Sequence, residues 1–372
     1  MNPERDSKTN NIKLSYNYTV VSRPVSYGMN KNDLKIVFFG TPDFAIPALK
    51  LLIESRYHIS AVFTGRGPIK ILAQERKVKA FQPVSLKKAK PRSDAQSAST
   101  TGDEQVFETF KLLNPDLCIV AAYGKIIPKK FLDIPRYGFL NIHPSLLPKY
   151  RGPSPIQTAI LNGDKETGVT IMVVDAEVDH GPILKQTTYN LQPTTHYKEV
   201  EKDLAEIGAK LLVEILPEYI RGETKPKEQE HSQATITKMF YRNDGRINWS
   251  ESCEKIYNQI RALNPEPGTW TIWKSKVINI SNITMFDIVS PPRTKQRHAA
   301  GPRGFVRGPQ VINIIDSGSE QPGRVRKIGN DIAIGTGTGY LILKSIQLEG
   351  GKEMDAADFV NGHSDFLNSR LE

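Results

Sequence analysis

The segment Leu140-Asn-Ile-His-Pro-Ser-Leu-Leu-Pro-Lys-Tyr-Arg-Gly152 is the most informative stretch of this 372-residue sequence. It continues the apolar run Phe139–Ile142, which predicts a β-strand that ends near His143. Because side chains alternate along a strand, Asn141 and His143 are expected on the same face. The proline-flanked loop that follows is stiff and suited to form a pocket wall. The segment therefore predicts two hydrogen-bonding groups that emerge together at the end of a strand.

Comparable apolar runs recur along the first half of the chain, separated by segments long enough for helices. This alternation is typical of a mostly parallel sheet with helices on both faces, so we predict an α/β fold. The most regular helix is predicted over Tyr197–Ile220, and Gly222 follows it as a stop signal. The predicted strands are Ile36–Phe39, Ile59–Phe63, Leu117–Ala121, Phe139–Ile142 and Val169–Val174.

The second half of the chain has a different pattern. One predicted helix, Cys253–Ala262, precedes short strands with Gly- and Pro-containing turns, which indicates a small β-barrel. The glycine-dense run Gly335–Gly339 lies between two strand-like runs, so we interpret it as a hairpin turn. The predicted strands are Thr269–Trp273, Val277–Ile280, Val311–Ile315, Ile332–Ile334 and Tyr340–Ile346.

These patterns divide the chain into four parts. Residues 1–30 are polar and are expected to form a disordered leader, within which Met29 is a second candidate start. Residues 31–222 form the predicted catalytic domain. Residues 223–234 are charged and polar, and we predict a linker there. Residues 235–372 form the predicted C-terminal domain.

Composition and charge exclude several classes of protein. No apolar run approaches the length of a membrane-spanning helix, so no membrane partner is expected. Two cysteines far apart, Cys118 and Cys253, argue against a disulfide-linked partner and against a cysteine-based zinc site. The formal net charge is +10, and residues 235–346 hold 16 Lys and Arg against 8 Asp and Glu. This excess favours a polyanionic partner for the second half.

Two stretches of the chain look like surface insertions. Lys87–Asp103 is rich in Lys, Ser, Ala and Thr, and Ser290–Gln310 holds five basic residues without an acidic one. Both are interpreted as solvated loops, with contact to phosphate groups as the alternative for the second. The three tryptophans of the second half are expected in the domain core, with base stacking as the alternative. They are Trp249, Trp270 and Trp273.

A second polar cluster, Asp175–Gly181, follows another predicted strand. Because the ends of parallel strands commonly lie near one another, we expect a carboxylate from this cluster beside Asn141 and His143. An amide, an imidazole and a carboxylate at one pocket suit transfer of a group to or from a carbonyl carbon. The alternative is a purely structural His143, and the residue pattern leaves both interpretations open. The turn Gly40–Phe44 holds a single glycine and lacks a dinucleotide-binding fingerprint.

Several motifs resemble the folate-dependent formyltransferase family over about residues 35–362. Pro155–Gln157, Gly245–Trp249 and Ile260–Pro265 resemble in particular the branch that acts on methionyl initiator tRNA. The resemblance implies a Rossmann-like catalytic domain and an OB-like C-terminal domain that binds tRNA. The motifs shared with the whole family are Phe39-Gly-Thr-Pro-Asp-Phe-Ala45, Ala122-Tyr-Gly-Lys-Ile-Ile-Pro128, Asn141–Pro148, Tyr150-Arg-Gly152 and Gly168–Met172.

The resemblance also implies roles for individual residues. The catalytic residues would be Asn141, His143 and Asp179, acting on 10-formyltetrahydrofolate as formyl donor without a metal ion. The family's long loop after the second strand is short here, and Arg66 is expected to keep part of its contact with tRNA. The residues expected to line the folate site are Tyr123, Gly124, Ser145, Leu146, Leu147 and Pro148. The remaining expected tRNA contacts are Arg151, Arg293 and Arg297.

The implied activity is transfer of the formyl group to the amino group of methionyl initiator tRNA, for translation initiation. Two alternatives stay open: formylation of an amino-sugar nucleotide, and an RNA-binding protein whose catalytic site is degenerate. The expected location is the cytoplasm, with the mitochondrion as the alternative because of the polar leader. A monomer is expected.

Overall fold

The computed structural model describes residues 33–86, 101–285 and 321–372, without the side chains of residues 101–103 and 285. The predicted leader, the insertion at 290–310 and the predicted strand Val311–Ile315 lie outside the described residues, as does most of the insertion at 87–103. Two units of regular structure follow one another along the described part of the chain.

The first unit is a seven-stranded sheet with helices on both faces, which confirms the predicted α/β fold. The strand order is β3-β2-β1-β4-β5-β6-β7. The strands are β1 (Lys35–Gly40), β2 (His58–Phe63), β3 (Ala80–Phe81), β4 (Leu117–Ala121), β5 (Phe139–His143), β6 (Glu166–Val173) and β7 (Ile183–Asn190). The helices are α1 (Ile46–Glu54), α2 (Pro68–Glu75), α3 (Thr101–Leu113), α4 (Lys129–Leu132), α5 (Pro155–Leu161) and α6 (Tyr197–Arg221).

The first five strands, β1 to β5, pair in parallel, and both faces of this part of the sheet are buried. In β1, Ile36 and Phe38 enter the core on one face, whereas Val37 and Phe39 enter the core on the other. A strand covered on both faces needs apolar residues at every position, which explains the continuous apolar runs in the sequence.

Two strands at one edge depart from the parallel pattern. β6 pairs antiparallel with β5, and β7 pairs antiparallel with β6. The pattern of apolar runs missed β7 because its side chains alternate between half-buried and exposed positions, as in Lys185-Gln-Thr-Thr-Tyr189. β3 was missed because it is only two residues long.

Helix α6 closes one face of the sheet. It agrees with the predicted helix to within one residue and ends where Gly222 adopts a left-handed φ of 73°, a conformation that glycine accepts without strain. At Gly208 the helix approaches the sheet so closely that an added Cβ would lie 2.5 Å from Cγ2 of Ile142. The helix therefore packs directly on the strand that carries Asn141 and His143.

The second unit is a curled antiparallel half-barrel sheet, as the β-rich pattern predicts. The strand order is β10-β11-β12-β9-β8, with β13 paired to β12. The glycine-dense run forms the β11–β12 hairpin, with Thr336 opposite Gly339. Trp249 and Trp273 are buried in its core. The elements are α7 (Cys253–Leu263), β8 (Trp270–Trp273), β9 (Lys276–Met285), β10 (Val325–Ile328), β11 (Asp331–Thr336), β12 (Gly339–Leu348), β13 (Met354–Asp355) and α8 (Ala356–Gly362).

The two units are joined by contacts as well as by the chain. Arg261 of α7 is buried and donates to the carbonyl oxygens of Thr195 and Ile160 in the first unit. Within residues 223–234, predicted as a linker, Lys227 exchanges backbone hydrogen bonds with Ile183. This segment therefore lies against β7.

Candidate active site

Asn141 and His143 lie on one face of β5 and share an acidic neighbour. The Nδ2 of Asn141 donates to Oδ1 of Asp179 over 3.2 Å, and Nδ1 of His143 lies 3.5 Å from the same oxygen. His143 is only 4% exposed, and electrostatic interactions are stronger where water is excluded. The structure thus brings the three predicted catalytic residues together.

Asp179 reaches this cluster by a course that the sequence pattern did not indicate. β6 is antiparallel to β5, with Val173 opposite Leu140, so the end of β6 lies beside the beginning of β5. Asp179 does lie beside Asn141 and His143. The reason given for it, that the ends of two parallel strands lie near one another, is wrong because β5 and β6 are antiparallel. The loop between β6 and β7 carries Asp179 to Asn141, with a left-handed φ of 49° at Asp179. The backbone amide of Gly152 donates to its Oδ2 over 2.8 Å.

The two ring nitrogens of His143 have different surroundings. Nε2 lies 2.9 Å from the carbonyl oxygen of Tyr150, and because that oxygen can only accept, Nε2 carries a hydrogen. Nδ1 is the nitrogen that faces Asp179. Because Nδ1 faces this carboxylate, it is the ring nitrogen placed for proton transfer.

The cluster forms part of the wall of a cavity of about 950 Å³. The wall also includes Tyr197 and Glu201 at the start of α6, and Pro265–Pro267 from the second unit. This volume is within the range of small-molecule sites, which is roughly 300–1,000 Å³. Both halves of the chain therefore contribute to a pocket large enough for an extended organic molecule.

Tyr123 and Gly124 line this cavity, as the resemblance implies for residues of a folate site. The Tyr123 hydroxyl is buried and has no hydrogen-bond partner among the described residues. Burial raises the pKa of this hydroxyl, so it stays protonated near neutral pH. The hydroxyl is enclosed by protein atoms, so Tyr123 borders the cavity with other parts of the residue.

Four of the residues expected at the folate site do not line this cavity. Ser145, Leu146, Leu147 and Pro148 are absent from its wall, whereas the preceding Pro144 is part of it. The carbonyl oxygen of Ser145 accepts from Thr170 of β6, and the amide of Leu147 donates to the same side chain. These contacts turn the loop toward the sheet. The expected contact of these four residues with folate stays a prediction.

The residues expected to contact tRNA are differently placed. Arg66 is exposed in the loop before α2, whereas Arg293 and Arg297 lie outside the described residues. Arg151 is 9% exposed and donates to Gln229 through Nε (3.1 Å) and a terminal nitrogen (2.7 Å). Its guanidinium binds partners inside the protein, and the expected contact of Arg151 with tRNA stays a prediction.

Three cavity or support residues were missed in the sequence. The hydroxyl of Tyr197 donates to Glu201 over 2.6 Å. Burial is the larger cause that raises the pKa of Tyr197, and this hydrogen bond raises it further. Their four-residue spacing at the start of a helix is a usable signal, because it puts both side chains on one face. Gln229 is 5% exposed and lies in the segment interpreted as a linker. Because its neighbours in the sequence are charged or polar, nothing in the sequence indicates that Gln229 is buried.

In the described ranges, no group of three or more His, Cys, Asp or Glu side chains is placed to hold a metal ion. None of the helices described is both long and apolar enough to cross a bilayer. Cys118 is buried, and the Cys253 thiol donates to the carbonyl oxygen of Tyr340.

An α/β sheet with an Asn–His–Asp cluster beside a large cavity defines an enzyme that transfers a group to or from a carbonyl carbon. Comparison with known families agrees with this class. The family described as formyl transferase matches residues 34–216, and its C-terminal domain matches residues 240–364. The chain belongs to the formyl transferase family.

Two relatives illustrate the similarity. The methionyl-tRNA formyltransferase of Chloroflexus aurantiacus is 42% identical over 259 residues, covering 66% of this chain and 79% of the relative. That of Roseiflexus castenholzii is 36% identical over 336 residues, covering 88% and 96%. The solved structure of HypX from Aquifex aeolicus in complex with tetrahydrofolic acid has a TM-score of 0.58 at 16% identity, over 89% of this chain and 48% of that chain. This last likeness shows a shared fold.

Proposed function

We propose that the protein transfers the formyl group of 10-formyltetrahydrofolate to the amino group of methionyl initiator tRNA. The observation that carries the proposal is the convergence of Asn141, His143 and Asp179 on the wall of one cavity. The similarity to enzymes named methionyl-tRNA formyltransferase, at 33–42% identity, supports the choice of acceptor.

The cavity suits the formyl donor on two grounds. Its volume fits a molecule that joins a heterocycle to a long side chain, and its wall includes Tyr123 and Gly124, two of the residues that the family resemblance implies for a folate site. When bound, 10-formyltetrahydrofolate supplies the formyl carbon. In this proposal Tyr123 and Gly124 border the donor, and Asn141 and His143 face the carbon to be attacked.

The chemistry required of the protein is electrostatic stabilisation with one proton transfer. An α-amine has a pKa of about 8, so part of it is neutral and nucleophilic at pH 7. Its attack forms the new nitrogen–carbon bond and develops negative charge on the formyl oxygen. Asn141 donates to that oxygen through its amide. A donor of this kind is typically worth about 3 kcal/mol in the transition state.

The attacking nitrogen becomes acidic and must lose a proton, while the nitrogen that leaves the formyl carbon must gain one. Asp179 lies 3.5 Å from Nδ1 of His143, so this pair can accept the first proton and pass it to the leaving nitrogen. Because Nε2 is bound to the carbonyl oxygen of Tyr150, the proton passes through Nδ1.

The acceptor end of the tRNA would enter where the second unit borders the cavity, at Pro265–Pro267. Arg242 and Arg246 flank the half-buried ring of Trp270, each at 5.6 Å from the ring centroid. Exposed cations beside an aromatic ring suit contact with a nucleic-acid backbone. We propose this surface as a tRNA contact.

The two alternatives from the sequence are not favoured. The sequence relatives at 33–42% identity are named for methionyl-tRNA, which argues against an amino-sugar nucleotide as acceptor. The close approach of the three polar residues argues against a degenerate site. The relatives named above are bacterial, and we propose a cytoplasmic monomer.

The test is a formylation assay with charged initiator tRNA and 10-formyltetrahydrofolate, with formylmethionine as the product measured. His143→Ala and Asp179→Ala are each expected to lower kcat by about 100-fold or more while donor binding persists. A wild-type enzyme that gives no formylmethionine contradicts the proposed reaction. Near-normal turnover in either variant removes that residue from the mechanism.

A further inference from the structure

The side chain of Gln229 is held from two sides. Its Oε1 accepts two hydrogen bonds from Arg151, and its Nε2 donates to the carbonyl oxygens of Asp179 (2.9 Å) and Gly181 (2.7 Å). An amide oxygen has two lone pairs and an amide nitrogen has two hydrogens, so every hydrogen-bonding position of this side chain is used. Arg151 can only donate and the two carbonyl oxygens can only accept, so the amide oxygen of Gln229 must face Arg151 and its amide nitrogen must face the carbonyls.

The turn that Gln229 holds contains the proposed catalytic carboxylate. Asp179 has a left-handed φ of 49°, a conformation that is uncommon for residues other than glycine. Gln229 binds the backbone carbonyl oxygens of Asp179 and Gly181, so it holds the turn at Asp179 itself and two residues after it. The Asp179 side chain, in contrast, is held by Asn141 and Gly152.

Arg151, which holds Gln229, is itself buried and has a further partner. Arg151 donates to Nδ1 of His231 (2.8 Å) in addition to Gln229. The ring of His231 stacks on that of His180 with centroids 4.1 Å apart, and His180 in turn contacts Asp175. These contacts connect the segment after α6 with the loop between β6 and β7.

We infer that Gln229, held by Arg151, is a positioning residue that fixes the Asp179 turn for formyl transfer. The inference rests on the proposed function of Asp179. Gln229 does not touch the reacting atoms, because its contacts are with backbone carbonyls and with Arg151. Its role is to keep the carboxylate at the distance from Asn141 and His143 that the reaction needs.

Gln229→Glu is the sharpest test of this role. The substitution keeps the size of the side chain and an acceptor for Arg151, but it replaces two donated hydrogen bonds with an oxygen facing two carbonyl oxygens. A displacement of about 1 Å at a catalytic group can lower turnover about 100-fold. We expect kcat to fall about 10- to 100-fold, with KM for 10-formyltetrahydrofolate within about twofold of the wild-type value.

A double-mutant cycle separates positioning from general support of the fold. In an Asp179→Asn background, Gln229→Glu is expected to lower kcat by less than about twofold, because the group it positions is already impaired. The matched control is Gln233→Glu, the same change at an exposed residue of the same segment, which is expected to keep wild-type kcat. Equal losses from Gln229→Glu in both backgrounds would overturn the inference.

Arg151→Lys provides a second variant if Gln229→Glu does not fold. It keeps the positive charge but removes the two-pronged contact, and we expect a smaller loss of kcat, about 3- to 10-fold, that also disappears in the Asp179→Asn background. If Gln229→Glu folds and keeps wild-type kcat while Asp179→Asn is impaired, the positioning role of Gln229 is contradicted and the proposed function of Asp179 is not. Full activity of Asp179→Asn contradicts the proposed function of Asp179 itself.

Discussion

Gly208 of α6 lies directly against Ile142, the residue between Asn141 and His143 on β5. An added Cβ at Gly208 would lie 2.5 Å from Cγ2 of Ile142 and 3.1 Å from Cγ1 of Val169. Both are branched side chains in the core, so neither can move away at low cost. The helix therefore fixes the position of the strand that carries two of the proposed catalytic residues.

Gly208→Ala is expected to destabilise the protein despite the better helix propensity of alanine. Alanine gains about 1 kcal/mol over glycine inside a helix, whereas overpacking a core costs about 1–3 kcal/mol. We expect a net loss of up to about 2 kcal/mol in the free energy of unfolding, measured with urea. The control is Gly362→Ala in α8, where an added Cβ would meet no atom within 4 Å, and no loss is expected there. Unchanged stability of Gly208→Ala would show that β5 can shift freely.

The different environments of the two His143 nitrogens predict different effects of two substitutions. Asparagine places a polar group near the position of Nδ1, and glutamine places one near that of Nε2. Because Nδ1 faces Asp179 and Nε2 binds Tyr150, His143→Asn is expected to keep about 10-fold more activity than His143→Gln. Single-turnover formylation checks this order. The reverse order would assign the reaction to Nε2.

The sequence predicted those parts of the fold and site that depend on local pattern. Helix α6 and strand β4 were predicted almost to the residue, because regular apolar spacing and full burial leave a clear signal. The pairing of Asn141 with His143 follows from the two-residue period of a strand. Asp179 was identified through its motif, whereas its route into the site depends on the antiparallel β6, and strand direction is not encoded in a short apolar run.

The roles of Arg151 and Gln229 depend on tertiary structure and could not be predicted. An arginine in a glycine-containing loop is usually exposed, and a glutamine among charged residues is usually solvated. Here a pairwise contact buries both. The Ser145–Pro148 loop is a similar case, because Thr170 from a strand 25 residues further along the chain draws it toward the sheet.

His196, which precedes α6, is expected to make stability depend on pH. Burial lowers the pKa of its imidazole, and the positive charge of Arg261 lowers it further against an opposing effect of Glu199. The unfolded chain therefore binds a proton more readily than the folded one. The contribution of His196 to the free energy of unfolding is fully present above about pH 6.5, the pKa of histidine in the unfolded chain. It decreases as the pH falls from 6.5 toward the lower pKa of His196 in the folded chain.

His196→Asn removes this titration and keeps a residue suited to the N-terminus of a helix. Urea unfolding at pH 7 and pH 5 is expected to show a smaller loss of stability on acidification in the variant than in the wild-type protein. Equal losses in the two proteins would mean that His196 is as easily protonated in the folded chain as in the unfolded one.

Arg246 is expected to contribute to tRNA affinity through the phosphate backbone. It is exposed beside Trp270, and residues 235–346 carry a net charge of +8. Each basic side chain that neutralises a phosphate releases bound counterions, so affinity falls linearly with salt on logarithmic axes. Arg246→Gln is expected to weaken binding of charged initiator tRNA and to reduce that slope by about 1. The control is Lys50→Gln, which removes an exposed charge on α1 that does not line the cavity. Equal slopes for Arg246→Gln and wild type would place the tRNA backbone elsewhere on the second unit.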